Sequence, residues 1–132
     1  MTDIELLRHT VATLAYRAGK TMRGAPASFA NFKPGPTSKT PVEIVAHMGD
    51  LFDWGYTLIT GEWKWNSSTP MPWDQEVARF FAVLKKFDDA LASGQPIRME
   101  LTKLFQGPIA DALTHTGQLA ALRRLANCPM KG

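Results

Sequence analysis

The fold is decided by residues 40–61, which read TPVEIVAHMGDLFDWGYTLITG. Their start is a capping box, in which Thr40 caps a helix, Pro41 takes its first position and Glu43 reaches back. Apolar residues then recur at steps of three and four until about Gly61. The pattern predicts an amphipathic helix. Its apolar positions are Ile44, Val45, Met48, Leu51, Phe52, Leu58 and Ile59.

Three further long helices flank this one in the sequence. The apolar spacing predicts the first from about Thr2 to Arg23, the third from about Trp73 to Ser93 and the last from Pro108 to about Ala126. A short helical piece, Ile97 to Phe105, is expected before the last long helix. No segment indicates a strand. We therefore predict one all-α domain over residues 1–132, folded as a four-helix bundle.

Charge and cysteine content exclude several classes of protein. The net charge is +3, and the longest basic runs are the pairs Lys85-Lys86 and Arg123-Arg124, which argues against nucleic-acid binding. A single cysteine, Cys128, excludes an internal disulfide framework and is typical of a reducing compartment. No apolar run approaches the ~20 residues of a membrane span, and the first residues do not resemble a signal peptide. We expect a cytoplasmic protein without membrane contact.

An ionisable pair stands out on the last helix. Asp111 and His115 are four residues apart, so their side chains lie on one helical face. Leu122 and Leu125 follow on the same line, which predicts that this face points toward the core. An ionisable pair on an apolar face needs compensation by a hydrogen bond, an ion pair or a metal. The segment therefore marks a candidate site.

His47 lies on the second helix, at the inner edge of the apolar stripe. Helical bundles build metal sites from side chains on facing helices, and a third ligand from His47 would complete a set with Asp111 and His115. Two histidines and one carboxylate suit Zn, Fe(II), Ni or Mn. A hydrogen-bonded cluster that only fixes helix packing explains the same residues. The spacing alone supports both interpretations equally.

Weaker candidates surround this set. Glu43 and Trp54 share a line with the candidate histidine, and Trp54 is expected to wall a pocket. Gln118, one turn beyond the last ligand, either orients that ligand or is an amide satisfied by the backbone. Asp50 and Asp53 flank the second helix and are expected on a solvated or pocket-edge face. The sequence does not assign a catalytic residue.

Two stretches together resemble the DinB-like superfamily of metalloenzymes. They are residues 40–50, TPVEIVAHMGD, and residues 107–124, GPIADALTHTGQLAALRR, and the resemblance covers nearly the whole chain. It implies an up-down-down-up bundle, commonly a homodimer, with one metal-binding histidine on helix two and an H-x3-H pair on the last helix. His47 and His115 match this pattern. Asp111 stands where the family carries the first histidine of the pair.

The resemblance also implies a chemistry. Relatives include bacillithiol S-transferases and the mycothiol-dependent maleylpyruvate isomerase. A divalent metal ion would activate water or a low-molecular-weight thiol, so we expect a hydrolase or thiol transferase that acts on a small-molecule substrate. The alternative is a non-catalytic bundle that binds a small ligand or a partner, with His47, Asp111 and His115 as a structural polar cluster.

Overall fold

The computed structural model describes residues 1–131, and this part of the chain contains helices and loops but no strand. The predicted all-α four-helix bundle is confirmed. None of the described helices is both long enough and apolar enough to cross a lipid bilayer. The helices are α1 (Asp3–Met22), α2 (Pro41–Thr60), α3 (Trp73–Ala92), α4 (Leu101–Leu104) and α5 (Ala110–Leu125), with a 3-10 turn at Ala27–Asn31.

Local signals set the ends of the first two helices. The side chain of Thr2 accepts a hydrogen bond from the backbone of Glu5 at the start of α1. Both hydrogen bonds of the predicted capping box between Thr40 and Glu43 are present at the start of α2. Gly61 ends α2 with φ of 94°, a left-handed conformation that glycine adopts without steric cost.

Contacts between the helices establish their directions. Near the starts of α2 and α3, the side chain of Arg79 on α3 donates a hydrogen bond to the carbonyl of Ala46 on α2. Further along both helices, Lys86 of α3 lies over the ring of Tyr56 of α2. These two helices are therefore parallel. α5 runs antiparallel to α2, because His47 contacts His115 whereas the later residue Trp54 meets Gly107.

The first helix completes the up-down-down-up arrangement. Arg8 near the start of α1 pairs with Asp88 near the end of α3, so these helices are antiparallel. Arg123 at the end of α5 donates to the carbonyls of Thr21 and Arg23 at the end of α1, so α1 and α5 are parallel. Arg123 is buried, and its hydrogen bonds to these carbonyls join the ends of the two helices.

The core lies between the four long helices. Phe52 packs edge-on against Phe80 and Phe87, which joins the parallel pair α2 and α3. Every buried side-chain nitrogen or oxygen in the described residues has a hydrogen-bond partner. Fully buried side chains from all parts of the bundle include Leu14, Phe29, Met48, Ile59, Leu104, Ile109 and Leu119.

The predicted start of the last helix at Pro108 is wrong. α4 is shorter than the expected piece from Ile97 to Phe105, and it continues into α5 through a π turn at Phe105–Ile109 with Pro108 inside it. Proline has no N–H to donate to the carbonyl four residues earlier. A wider turn absorbs this missing bond without ending the helix.

The parallel order of α2 and α3 requires a connection that returns along the bundle. A helix of 20 residues is about 30 Å long, and the twelve residues 61–72 can span at most about 40 Å. Two of the hydrogen bonds that hold this crossing loop join its backbone to buried carboxylates. The N–H of Ser68 donates to Asp50 Oδ2 at 3.0 Å, and the N–H of Met71 donates to Glu76 Oε2 at 2.9 Å.

Arg79 joins the two carboxylates that anchor the loop. Its guanidinium donates to Glu76 at 2.8 Å, to Asp50 at 3.0 Å and to the hydroxyl of Ser68 at 3.1 Å. Glu76 is fully buried and Asp50 is 5% exposed, so Asp50 is not solvated. It does line a groove, which is the pocket-edge position expected as the other alternative, and the cation that compensates it comes from another helix.

We expect Gly49→Ala to destabilise the protein by about 1–3 kcal/mol, the usual cost of overpacking. A Cβ at Gly49 would lie 2.8 Å from the guanidinium of Arg79, which is held by several partners. The matched control is Gly117→Ala, also within a helix, where a Cβ meets nothing within 4 Å. That change should stabilise by about 0.5–1 kcal/mol. Urea denaturation of both variants checks this, and equal effects would contradict it.

Candidate metal centre

The structure brings together the three predicted ligand residues. α2 supplies His47, and α5 supplies Asp111 and His115 from successive turns. Oδ2 of Asp111 lies 3.2 Å from Nε2 of His47 and 3.5 Å from Nε2 of His115. One ligand atom from each residue lies within 4.8 Å of the others. The two imidazole rings meet edge to face, with centroids 4.8 Å apart.

The donor types, and two of the three separations between ligand atoms, are compatible with a transition-metal site. Bonds of about 2.0–2.2 Å in tetrahedral geometry separate neighbouring ligand atoms by about 3.3–3.6 Å. The two distances to Asp111 Oδ2 are 3.2 and 3.5 Å, close to this range. Two imidazoles and a carboxylate suit Zn, Ni, Fe(II) or Mn. A three-residue set also leaves positions for water or substrate, as in catalytic sites.

The site faces a groove and is not buried in the core. The side chains of His47 and Asp111 are 40% and 45% exposed, and that of His115 is 20% exposed. The sequence predicted that Leu122 and Leu125 share the core-facing side of the last helix with the two candidate ligands. Leu122 is indeed buried, but Leu125 is 62% exposed. Ten residues at 3.6 per turn leave Leu125 about 80° from His115, so the two leucines do not share one direction.

Gln118 fixes the orientation of His115. Oε1 of Gln118 lies 2.8 Å from Nδ1 of the imidazole, one turn along α5. With this orientation of the amide, Nδ1 carries the proton and donates it, and Nε2 of the neutral ring presents a lone pair toward Asp111. A lone pair facing a carboxylate is unfavourable unless a cation lies between them or the ring is protonated. This contact favours the first of the two predicted roles for Gln118.

A groove of about 530 Å³ opens beside the three ligands. Glu43 lines it, as predicted, but its carboxylate is occupied by the capping box. The backbone N–H of Thr40, and then its hydroxyl, hydrogen bond to Glu43 and lower the pKa of that carboxyl below its ordinary value. Glu43 therefore stays ionised at the groove wall. The other lining side chains include Lys39, Ile44, His47, Ser67, Ser68, His115 and Gln118.

Tryptophans cover one side of the site. Trp65 of the crossing loop packs against His47 at 5.8 Å and against Trp54 at 5.9 Å, measured between ring centroids. Trp54 also packs on Gly107 in the π turn, where a Cβ would lie 3.3 Å from its ring. Trp54 thus supports the covering residue Trp65 and does not itself line the groove, in contrast to the expected pocket wall.

Several residues that line the groove could not be identified from the sequence. Lys39, Ser67 and Ser68 belong to loops, where no periodic pattern indicates which way a side chain points. Ser67 and Ser68 lie on the crossing loop, which is anchored through Asp50 and Glu76, whereas Lys39 directly precedes the cap of α2. The length of the connection between two helices was the only available signal, and it did not reveal the path.

Comparisons with protein-family models, with curated proteins and with solved structures found no match to this chain. The likeness to the DinB-like superfamily therefore stays a prediction from the quoted residues.

We expect Gln118→Met to change the tautomer of His115 in the metal-free protein. The neutral wild-type ring should carry its proton on Nδ1, because Gln118 Oε1 accepts from that atom at 2.8 Å. In the variant this preference should be lost. Long-range ¹H–¹⁵N spectra of the imidazole rings measure the tautomer, with the exposed His9 as internal reference. An Nε2-protonated His115 in the wild type would contradict the assignment.

Proposed function

We propose that this protein is a metal-dependent enzyme whose divalent ion is held by His47, Asp111 and His115. The observation that carries the proposal is the convergence of three ligand atoms from two helices at spacings that suit one ion. The resemblance of the sequence to the DinB-like superfamily supports the same assignment for His47 and His115. Homodimer formation and a cytoplasmic location remain expectations of that sequence analysis.

In the proposed site, different residues would bind the ion, orient a ligand and shield the substrate. The two imidazoles and the carboxylate bind the ion, and Gln118 keeps Nε2 of His115 directed at it. A bound divalent ion would act as a Lewis acid that lowers the pKa of water or of a low-molecular-weight thiol. The groove admits a small-molecule substrate, and Trp65 shields one side from solvent. We propose hydrolysis or thiol transfer on this basis.

A non-catalytic bundle is the second candidate function. Nε2 of His47 and Oδ2 of Asp111 are 3.2 Å apart, which is hydrogen-bond distance without any ion. In that case the three residues would fix the packing of α2 on α5, and the groove would bind a ligand or a partner. The lone pair of His115 directed at Asp111 argues against this candidate for the neutral form of the ring.

Metal content tests the proposal directly. Tag-free protein incubated with Zn, Ni, Fe(II) or Mn should retain about one ion per chain, because the three ligands converge on one position. His115→Ala and Asp111→Asn should lose it, since each removes a ligand. Elemental analysis after dialysis measures the stoichiometry. Free metal at about 100 times Kd should also stabilise the wild type by about 2.7 kcal/mol.

Two control variants sharpen this test. Asp111→His supplies another ligand at the same position and should retain the ion, whereas a packing role for the carboxylate predicts no such rescue. His9→Ala removes an exposed histidine of α1 outside the site and should leave the stoichiometry unchanged. A wild-type protein that binds none of the four metals would overturn the proposal.

Bound metal should be released as the pH falls through the histidine range. Protons compete with the ion for imidazole nitrogen, and an unperturbed imidazole titrates near ~6.5. Metal binding therefore stabilises the fold at neutral pH, and this contribution should be lost on acidification. Equilibrium dialysis between pH 8 and pH 4, followed by elemental analysis, gives the release curve. Unchanged stoichiometry down to pH 4 would be inconsistent with histidine ligands.

A further inference from the structure

Four polar residues that line the groove beside the candidate metal centre offer hydrogen-bond donors, and they are Lys39, Ser67, Ser68 and Gln118. The two serines of the crossing loop show this clearly. Oγ of Ser67 accepts from the indole N–H of Trp65 at 3.0 Å, and Oγ of Ser68 accepts from the guanidinium of Arg79 at 3.1 Å. A hydroxyl whose oxygen is engaged in this way keeps its hydrogen for another acceptor. Both serines line the groove.

Gln118 and Lys39 add further donors to the same wall. Because Oε1 of Gln118 accepts from His115, its amide NH2 remains to donate. Lys39 lines the groove, and none of the ion pairs formed by residues 1–131 includes it. The hydrogen bonds from Thr40 lower the pKa of Glu43 most, and attraction to Lys39 and Lys33 lowers it further. Lys33 is outside the groove lining.

Among the described residues that line the groove, Lys39 is the one lysine or arginine. Glu43 and Asp50 also line it, but Glu43 is held in the capping box, and Asp50 pairs with Arg79, which also pairs with Glu76 and Asp53. An anion in the groove would therefore meet a lysine and several O–H and N–H donors, and a divalent ion at the three ligands would add two positive charges.

We propose that this groove binds the oxyanion group of a small substrate, a carboxylate or a phosphate, through Lys39, Ser67, Ser68 and Gln118. The inference rests on the proposed function for the direction of binding, since the rest of the substrate would then extend toward His47 and His115. The donor set itself belongs to this chain and is present without an ion.

Isothermal titration calorimetry of the metal-free and the zinc-incubated protein tests the proposal, with succinate, inorganic phosphate and neutral succinamide as probes. Succinate or phosphate should bind more tightly than succinamide, and comparison of the two anions identifies the preferred group. Lys39→Gln should weaken anion binding by about 3- to 10-fold, in the range of a partly exposed charge pair. The control Lys33→Gln removes an equal charge outside the groove and should have no such effect.

The outcomes separate this inference from the metal proposal. Uptake of Zn, Ni, Fe(II) and Mn is measured independently by elemental analysis. Protein that takes up none of these metals but binds anions through Lys39 would refute the metal site and support the oxyanion site. Equal binding of succinamide and the anions, equal effects of Lys39→Gln and Lys33→Gln, or no binding in either form would overturn the oxyanion site.

Discussion

The guanidinium of Arg79 is the contact on which the path of the crossing loop depends. Parallel α2 and α3 need a connection that returns along the bundle, and this one is held by the carboxylates of Asp50 and Glu76 that Arg79 pairs with. Losing one partner of such a buried pair typically costs about 3–5 kcal/mol, because the other charge is left uncompensated. The same loop carries Trp65 to the face of His47. Topology and site therefore share one anchor.

Local signals in the sequence predicted the helices but not the contacts between them. The capping box at Thr40 and the turn at Gly61 were recognisable because their partners lie within a few residues. The pairing of Asp50 with Arg79 joins residues on different helices, so no periodicity indicates it. Proline favours the first turn of a helix because it lacks a donor, but Pro108 lies inside a π turn, which leaves no recognisable pattern in the sequence.

In the candidate site, too, local spacing was predictable from the sequence, but the surroundings were not. The four-residue spacing of Asp111 and His115 placed both side chains on one face, and the structure sets His47 against them. Their exposure was mispredicted because Leu125 was counted on that face although it points to solvent. Hydrogen bonding and metal binding require similar distances, so spacing alone does not separate them. The orientation of His115 by Gln118 does add information, because it turns a lone pair toward a carboxylate.

A carboxylate at position 111 would also change how much positive charge the groove must supply to attract an anion. With two neutral imidazoles and Asp111, a divalent ion would keep one positive charge, whereas three imidazoles would leave it two. Its attraction for an anionic substrate would be weaker by that difference. Lys39, at the wall of the same groove, would add a positive charge on that side. Asp111 and Lys39 lie on separate elements, yet in the proposed site the charge of one would determine how much the other contributes to anion binding.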